Sequence, residues 1–211
     1  GVHHRPADAV MAVLINPFAF FVVTPGSQTI TSSTTFVVPN YNRLEVAVWG
    51  GGANGGQSDG EDGAAGNASS FGSATPVAAN PGNPGLGDGT EGTGGTASGG
   101  TSNTTGETGG TDGAAHGGDG ANGTGTLLGS LTGGNGGTSN GSSGSSPGGG
   151  GSRGGSGKGN SGGGGLAIKL WSRGDAGAPS PGESITVTVG TAPGGAQDNK
   201  GARGEVRVQW D

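Results

Sequence analysis

Cysteine is absent from the 211 residues, methionine and tyrosine occur once each, and aromatic residues make up 4 %. Without cysteine there is neither a disulfide framework nor a cysteine-ligated zinc site. Hydrophobic residues are 27 % of the chain, against ~45–50 % in ordinary globular proteins, so one large apolar core is excluded. Lys and Arg together number nine and the net charge is −6, which argues against nucleic acid as a partner. No nucleophile, acid–base pair or cofactor fingerprint is assembled in the sequence, and an enzyme is not expected.

What the chain has instead is glycine, 56 residues of it, unevenly spread. Between Gly50 and Gly165, 46 of 116 residues are Gly. That stretch holds eight acids (Asp59, Glu61, Asp62, Asp88, Glu91, Glu107, Asp112, Asp119) and two bases (Arg153, Lys158), so it carries the whole net charge. Glycine recurs at intervals of three in short blocks, such as Gly60, Gly63, Gly66 and Gly159, Gly162, Gly165, and the phase slips between blocks. A threefold period fits the polyproline-II type of helix, which has three residues per turn. The slips exclude collagen. Two structures stay open: short left-handed helices that exchange N–H···O=C bonds across glycine faces, or a flexible Gly/Ser/Thr/Asn linker.

The flanks read as strands. Thr35–Pro39, Arg43–Trp49, Leu166–Trp171, Ser184–Val189 and Glu205–Trp210 are short, β-branched and alternating, and Gln28–Thr31 is a further candidate. Leu44, Val46 and Val48 share a face opposite Glu45, and Leu166, Ile168 and Leu170 share one opposite Lys169. The expected fold is mainly β: a small antiparallel sheet or sandwich, with the glycine-rich segment packed as polyglycine-II helices. The expected organisation is an attachment segment over residues 1–33, a strand frame over 34–49 and 166–211, and a glycine-rich insertion over 50–165. Within the first segment, Ala7–Val23 is the most apolar run, broken by Asn16-Pro17. It is too interrupted for a membrane-spanning helix and reads as a docking element.

Glycine motifs carry little weight in such a composition. Gly118–Gly123 satisfies GxGxxG and Gly150–Gly154 satisfies GxSxG, without the flanking strand and helix those sites need. His3, His4 and His116 have no partner readable from spacing. The acidic cluster of Asp59, Glu61 and Asp62 lacks the repeat of a calcium-binding solenoid. No catalytic, cofactor or metal site is therefore assigned.

The run TFVVPNYNRLEVAVWGGG at one end, with PGESITVTVG and EVRVQW at the other, resembles the glycine-rich domain of bacteriophage tail and virion proteins. The glycine body is similar to the polyglycine-II tail-tip adhesins of T-even-like phages, although here the glycine blocks lie inside the strands. The resemblance implies a virion component of tail-fibre or tail-tip type that attaches to a host-surface receptor. Its implied partners are other virion proteins and further copies in a homotrimer, with no membrane insertion. Thr126–Leu131 is the most apolar turn of the body, which makes Leu127, Leu128 and Leu131 the candidates for receptor contact; a small local or inter-subunit core is the other use for them. Two further functions are a capsid or tail decoration protein without a receptor and an ice-binding protein.

Overall fold

In the flanking runs alternate side chains are apolar, and in the computed structural model, which describes residues 22–110, 115–194 and 199–211, those runs form antiparallel strands that bury the apolar side. The element order is β1 (Gly26–Ile30), β2 (Thr34–Val37), β3 (Arg43–Trp49), β4 (Ser69–Phe71), β5 (Val77–Ala79), β6 (Ala97–Ser98) and β7 (Ser102–Thr104). Then follow β8 (Gly123–Thr124), β9 (Ser130–Leu131), β10 (Leu166–Ser172), β11 (Ser184–Thr188) and β12 (Glu205–Trp210). No helix occurs among the described residues. The fold is mainly β, as the patterning predicts.

Two five-stranded sheets make the frame, ordered β1-β12-β3-β10-β7 and β2-β11-β4-β5-β6, with β8-β9 as a separate hairpin. β3 lies between β10 and β12, with Trp49 opposite both Leu166 and Glu205. The chain therefore leaves a sheet at Trp49 and re-enters it beside the same residue at Leu166. Residues 50–165 also return to the frame three times, as β4–β5, β6–β7 and β8–β9; the first two returns complete the sheets and the third packs on one of them. Phe71 and Val77 from these returns sit in the main core.

That core lies between the sheets. Leu44, Val46 and Val48 of β3, Val206 and Val208 of β12, Ile185 and Val187 of β11, and Phe36 of β2 are all buried in it. Ring contacts run across it from Trp210 to Phe36 (6.1 Å), Phe36 to Phe71 (5.7 Å) and Phe71 to Trp171 (6.2 Å). The alternation of β10 works differently from its apolar pattern. Ala167 and Trp171 face the main core, whereas Leu166 and Ile168 face the other side and join a second core with Ala47, Trp49, Ala121 and Leu131. Both faces of β10 and β3 are covered, so both sides of these strands are apolar.

The end of the sandwich away from the glycine-rich segments is closed by polar links. Tyr41, buried, donates its hydroxyl to the Pro179 carbonyl at 2.6 Å, and burial pushes its pKa up. Arg43 pairs with Asp211, Nε to Oδ1 at 3.0 Å and Nη2 to Oδ2. The exposed large apolar side chains among the described residues are Val37, at the end of β2 opposite Ser184, and Val22, two residues before Thr24, whose carbonyl accepts from Trp210 Nε1.

Candidate functional site

Residues 50–57 show how a chain of glycines is held. Gly50, Ala53 and Gly56 donate their N–H groups to the carbonyls of Gly165, Gly162 and Gly159. Gly51, Asn54 and Gln57 donate to Asn67, Ala64 and Glu61, and Gly52 and Gly55 to Ala202 and Asn199. Successive residues thus bond three different neighbours, and every third residue returns to the same one. A backbone with three residues per turn does this; an α-helix bonds itself and a strand bonds two neighbours.

Residues 159–165 lie at the centre and are buried throughout. Gly159, Gly162 and Gly165 donate to Leu86, Asn83 and Asn80, Ser161 and Gly164 to Gly151 and Gly148, and Gly163 to Glu107. Their carbonyls accept from Gly50, Ala53 and Gly56, from Gly92 and Gly95, and from Gly118 and Ala121. Six segments therefore surround one. Such approach leaves no room for a side chain: a Cβ on Gly162 would stand 2.0 Å from the Thr93 carbonyl oxygen. Two polar side chains are admitted to the centre because they bond backbone. The one O–H of Ser161 lies between the Ala53 and Gly151 carbonyls, and Asn160 Nδ2 donates to the Gly110 carbonyl while its Oδ1 accepts from Arg153 N–H.

The segments reverse direction at the end remote from the sandwich. Four reversals are fully described, at 57–61, 86–90, 137–142 and 154–159, with Gly60, Gly89, Gly141 and Gly157 at positive φ. Residues 111–114 and 195–198, which join two further pairs of segments, lie outside the described residues. Asp59, Glu61 and Asp88 lie in these reversals and Asp62 directly follows the first, and three of the four carboxylates are engaged by backbone. Asp59 accepts Glu61 N–H, Asp62 accepts Gly87 N–H, and Asp88 accepts Thr90 N–H. The bonds from Thr90 hold the Asp88 carboxyl below its ordinary pKa. Lys158 Nζ reaches the Gly87 carbonyl at 3.0 Å. Among the described residues no three His, Asp or Glu side chains are grouped to hold a metal ion. His116 is exposed; His3, His4, Asp112 and most of the Ala7–Val23 run lie outside the described residues.

The leucine turn is elsewhere. β8 and β9 pack on the outer face of the first sheet, so 125–129 sits at the sandwich end of the body. Leu131 is 2 % exposed in the second core, Leu128 packs against that core, and Leu127 is half-buried. Of the three leucines, then, Leu131 and Leu128 face protein. Trp49 Nε1 donates to the Ala121 carbonyl beside them at 2.9 Å. The turn is fastened by Glu45, a residue that patterning assigns only to an outward face. Its carboxylate, 1 % exposed, accepts N–H groups from Thr126 (2.8 Å), Leu127 (2.7 Å) and Leu128 (2.8 Å). A signal was present in the sequence: Glu45 shares its face of β3 with Ala47 and Trp49 and, at the strand's start, Arg43, and an acid beside apolar residues must find donors.

Comparison with family models, with curated proteins and with solved structures finds no match to this chain. Among the described residues no helix is long and apolar enough to cross a membrane.

Proposed function

We propose that this chain is a bacteriophage virion protein of tail-fibre or tail-tip type, and that it attaches the particle to the host-cell surface. In this reading the segments of residues 50–165 are polyglycine-II helices, the sandwich seats the protein on the particle, and the glycine body projects. The seven steps from Gly50 to Gln57 at ~3.1 Å each make a projection of roughly 20 Å. The observation that carries the proposal is that the four described reversals share one end, opposite the end that bears Val22 and Val37. Side chains at the reversals can vary without entering the glycine contacts, which suits a surface that must recognise changing receptors. A homotrimer joined near Val22 and Val37, resting on other virion proteins, is the assembly expected.

The test is adsorption. Labelled protein should bind cells of a susceptible bacterium and compete with phage for them, and antibodies against it should block infection. Protein that binds no susceptible cell, with infection intact under antibody, would end the attachment proposal. A particle image showing the chain scattered over the capsid would favour a decoration protein instead.

A further inference from the structure

The turn between β1 and β2, the chain after β11 and the residue pair before β12 enclose a cleft of about 410 Å³ where the sandwich meets the glycine body. Its polar side chains are the hydroxyls of Thr31, Ser32, Ser33, Ser146 and Thr191 and the guanidinium of Arg203. Ser33 Oγ already accepts the Val189 N–H at 3.0 Å, and Thr191 Oγ1 already accepts from Asn67 Nδ2 at 2.9 Å. A hydroxyl that accepts one protein donor keeps its O–H to give and one further lone pair. Arg203 adds a guanidinium to the same cleft. Its Nη1 donates to the Gly204 carbonyl at 3.1 Å and faces Glu205 at 3.6 Å, which leaves Nε and Nη2 as further donors. Glu205 is shared with Arg207 at 2.7 Å, so this group of two arginines and one carboxylate is net positive in a chain of net charge −6.

The rest of the lining is Gly144 and Gly190, with Ala192 and Ala202 as apolar side chains; Val189 borders the cleft but its side chain belongs to the main core. A ligand that fits presents anionic oxygens on one side and C–H groups on another, within a volume suited to a single ring. We propose that this cleft binds an acidic monosaccharide unit, with the carboxylate on Arg203, ring oxygens on the Ser33 and Thr191 hydroxyls, and the C–H face of the pyranose on Ala192 and Ala202. An anion bonded to an arginine gains a charge-assisted pair, and the same donors offer a neutral sugar much less. The cleft is distinct from the reversals at the far end of the body, and this inference does not rest on the attachment proposal.

The experiment is equilibrium binding of the full chain, by ligand-observed NMR, to glucuronate, glucose and inorganic phosphate. Glucuronate should bind at least ten-fold more tightly than glucose or phosphate. Arg203→Ala should weaken glucuronate roughly ten-fold or more, since a hydrogen bond to a charged group is lost. Because Arg203 also holds the Gly204 carbonyl, Ser32→Trp serves as a second variant; it fills the mouth of the cleft from an exposed turn and should abolish binding in a folded protein. Equal binding of phosphate and glucuronate would overturn the sugar site and leave a plain anion site. No binding of glucuronate, or binding indifferent to both variants, would overturn the proposal altogether. Cell adsorption is read separately, so a protein that binds glucuronate but no cell removes the attachment proposal and leaves this one standing.

Discussion

Leu127 donates its backbone N–H to Glu45 Oε2 over 2.7 Å, although the two residues are 82 positions apart in the chain. With Thr126 and Leu128 making the same kind of bond, one strand carboxylate organises an entire turn. Hydrogen bonds to a charged group contribute ~1.5–3 kcal/mol net, and a buried donor left alone is costly. Glu45→Gln keeps the shape but turns an NH2 group towards N–H donors. The variant should lose roughly 2–3 kcal/mol in denaturant unfolding, and amide exchange should accelerate at Thr126–Leu128 before it does at Gly159–Gly165.

Leucines of one turn should differ in what they do. Leu131→Ala empties a site that is 2 % exposed in the second core and should cost ~2–5 kcal/mol of stability. Leu127→Ala, at a half-buried position, should cost markedly less. Equal losses in chemical denaturation would contradict the packing described here.

Glycine at the centre of the body is a packing requirement. Gly162→Ala drives a Cβ to 2.0 Å from the Thr93 carbonyl, whereas Gly194→Ala meets nothing within 4 Å among the described residues. The first should destabilise by about 3 kcal/mol or more, because backbone on both sides must move. The second should fall within about 0.5 kcal/mol of the parent. Thermal melts of the two variants compare them directly, and the amides of Gly159–Gly165 should be among the slowest to exchange in the parent.

Acid should act partly through Asp211. The hydrogen bond and charge of Arg43 hold its carboxyl below the ordinary pKa of 3.8. A carboxylate with a depressed folded pKa stabilises fully above its unfolded value, and the contribution fades as pH falls through the lower, folded value. Stability measured from pH 6 downwards should therefore drop less steeply below about pH 4 in Asp211→Asn than in the parent. Since the pair is exposed, the difference should shrink in high salt.

Side chains at the remote reversals should matter for surfaces and not for folding. Ser58→Trp and Ser156→Trp, both at exposed positions, should leave the unfolding midpoint nearly unchanged, within ~0.5 kcal/mol. Adsorption to cells should change in at least one of them. A large loss of stability with unaltered adsorption would count against the projecting role proposed for this end.

Much of the frame could be read directly. Alternation in Leu44, Val46 and Val48, and in Val206 and Val208, names the side chains that fill the main core, because a strand sends alternate residues to opposite faces whatever its partners. The candidate strand over 28–31 is present as β1, shifted by two residues at its start and one at its end. β10 was misleading for a physical reason: with apolar cover on both sides, the larger leucine and isoleucine did not mark the main core, and Ala167 and Trp171 did. The short strands at Ser69–Phe71 and Val77–Ala79 were also missed, since three residues are too few to show a period.

Composition and spacing determined by themselves that this chain lacks the oil for an ordinary core, that alternating flanks make sheets, and that glycine falls where backbones can meet at every third residue. Tertiary structure decided which segments are neighbours. One glycine block is chemically interchangeable with another, and an N–H group bonds any carbonyl equally well, so neighbours are selected by where the chain rejoins the sandwich and by rare side chains such as Ser161 and Asn160. The same holds for Glu45 and the turn at 126–128: donors and acceptor are ordinary apart, and only folding, which removes water from both, makes each the other's necessary partner.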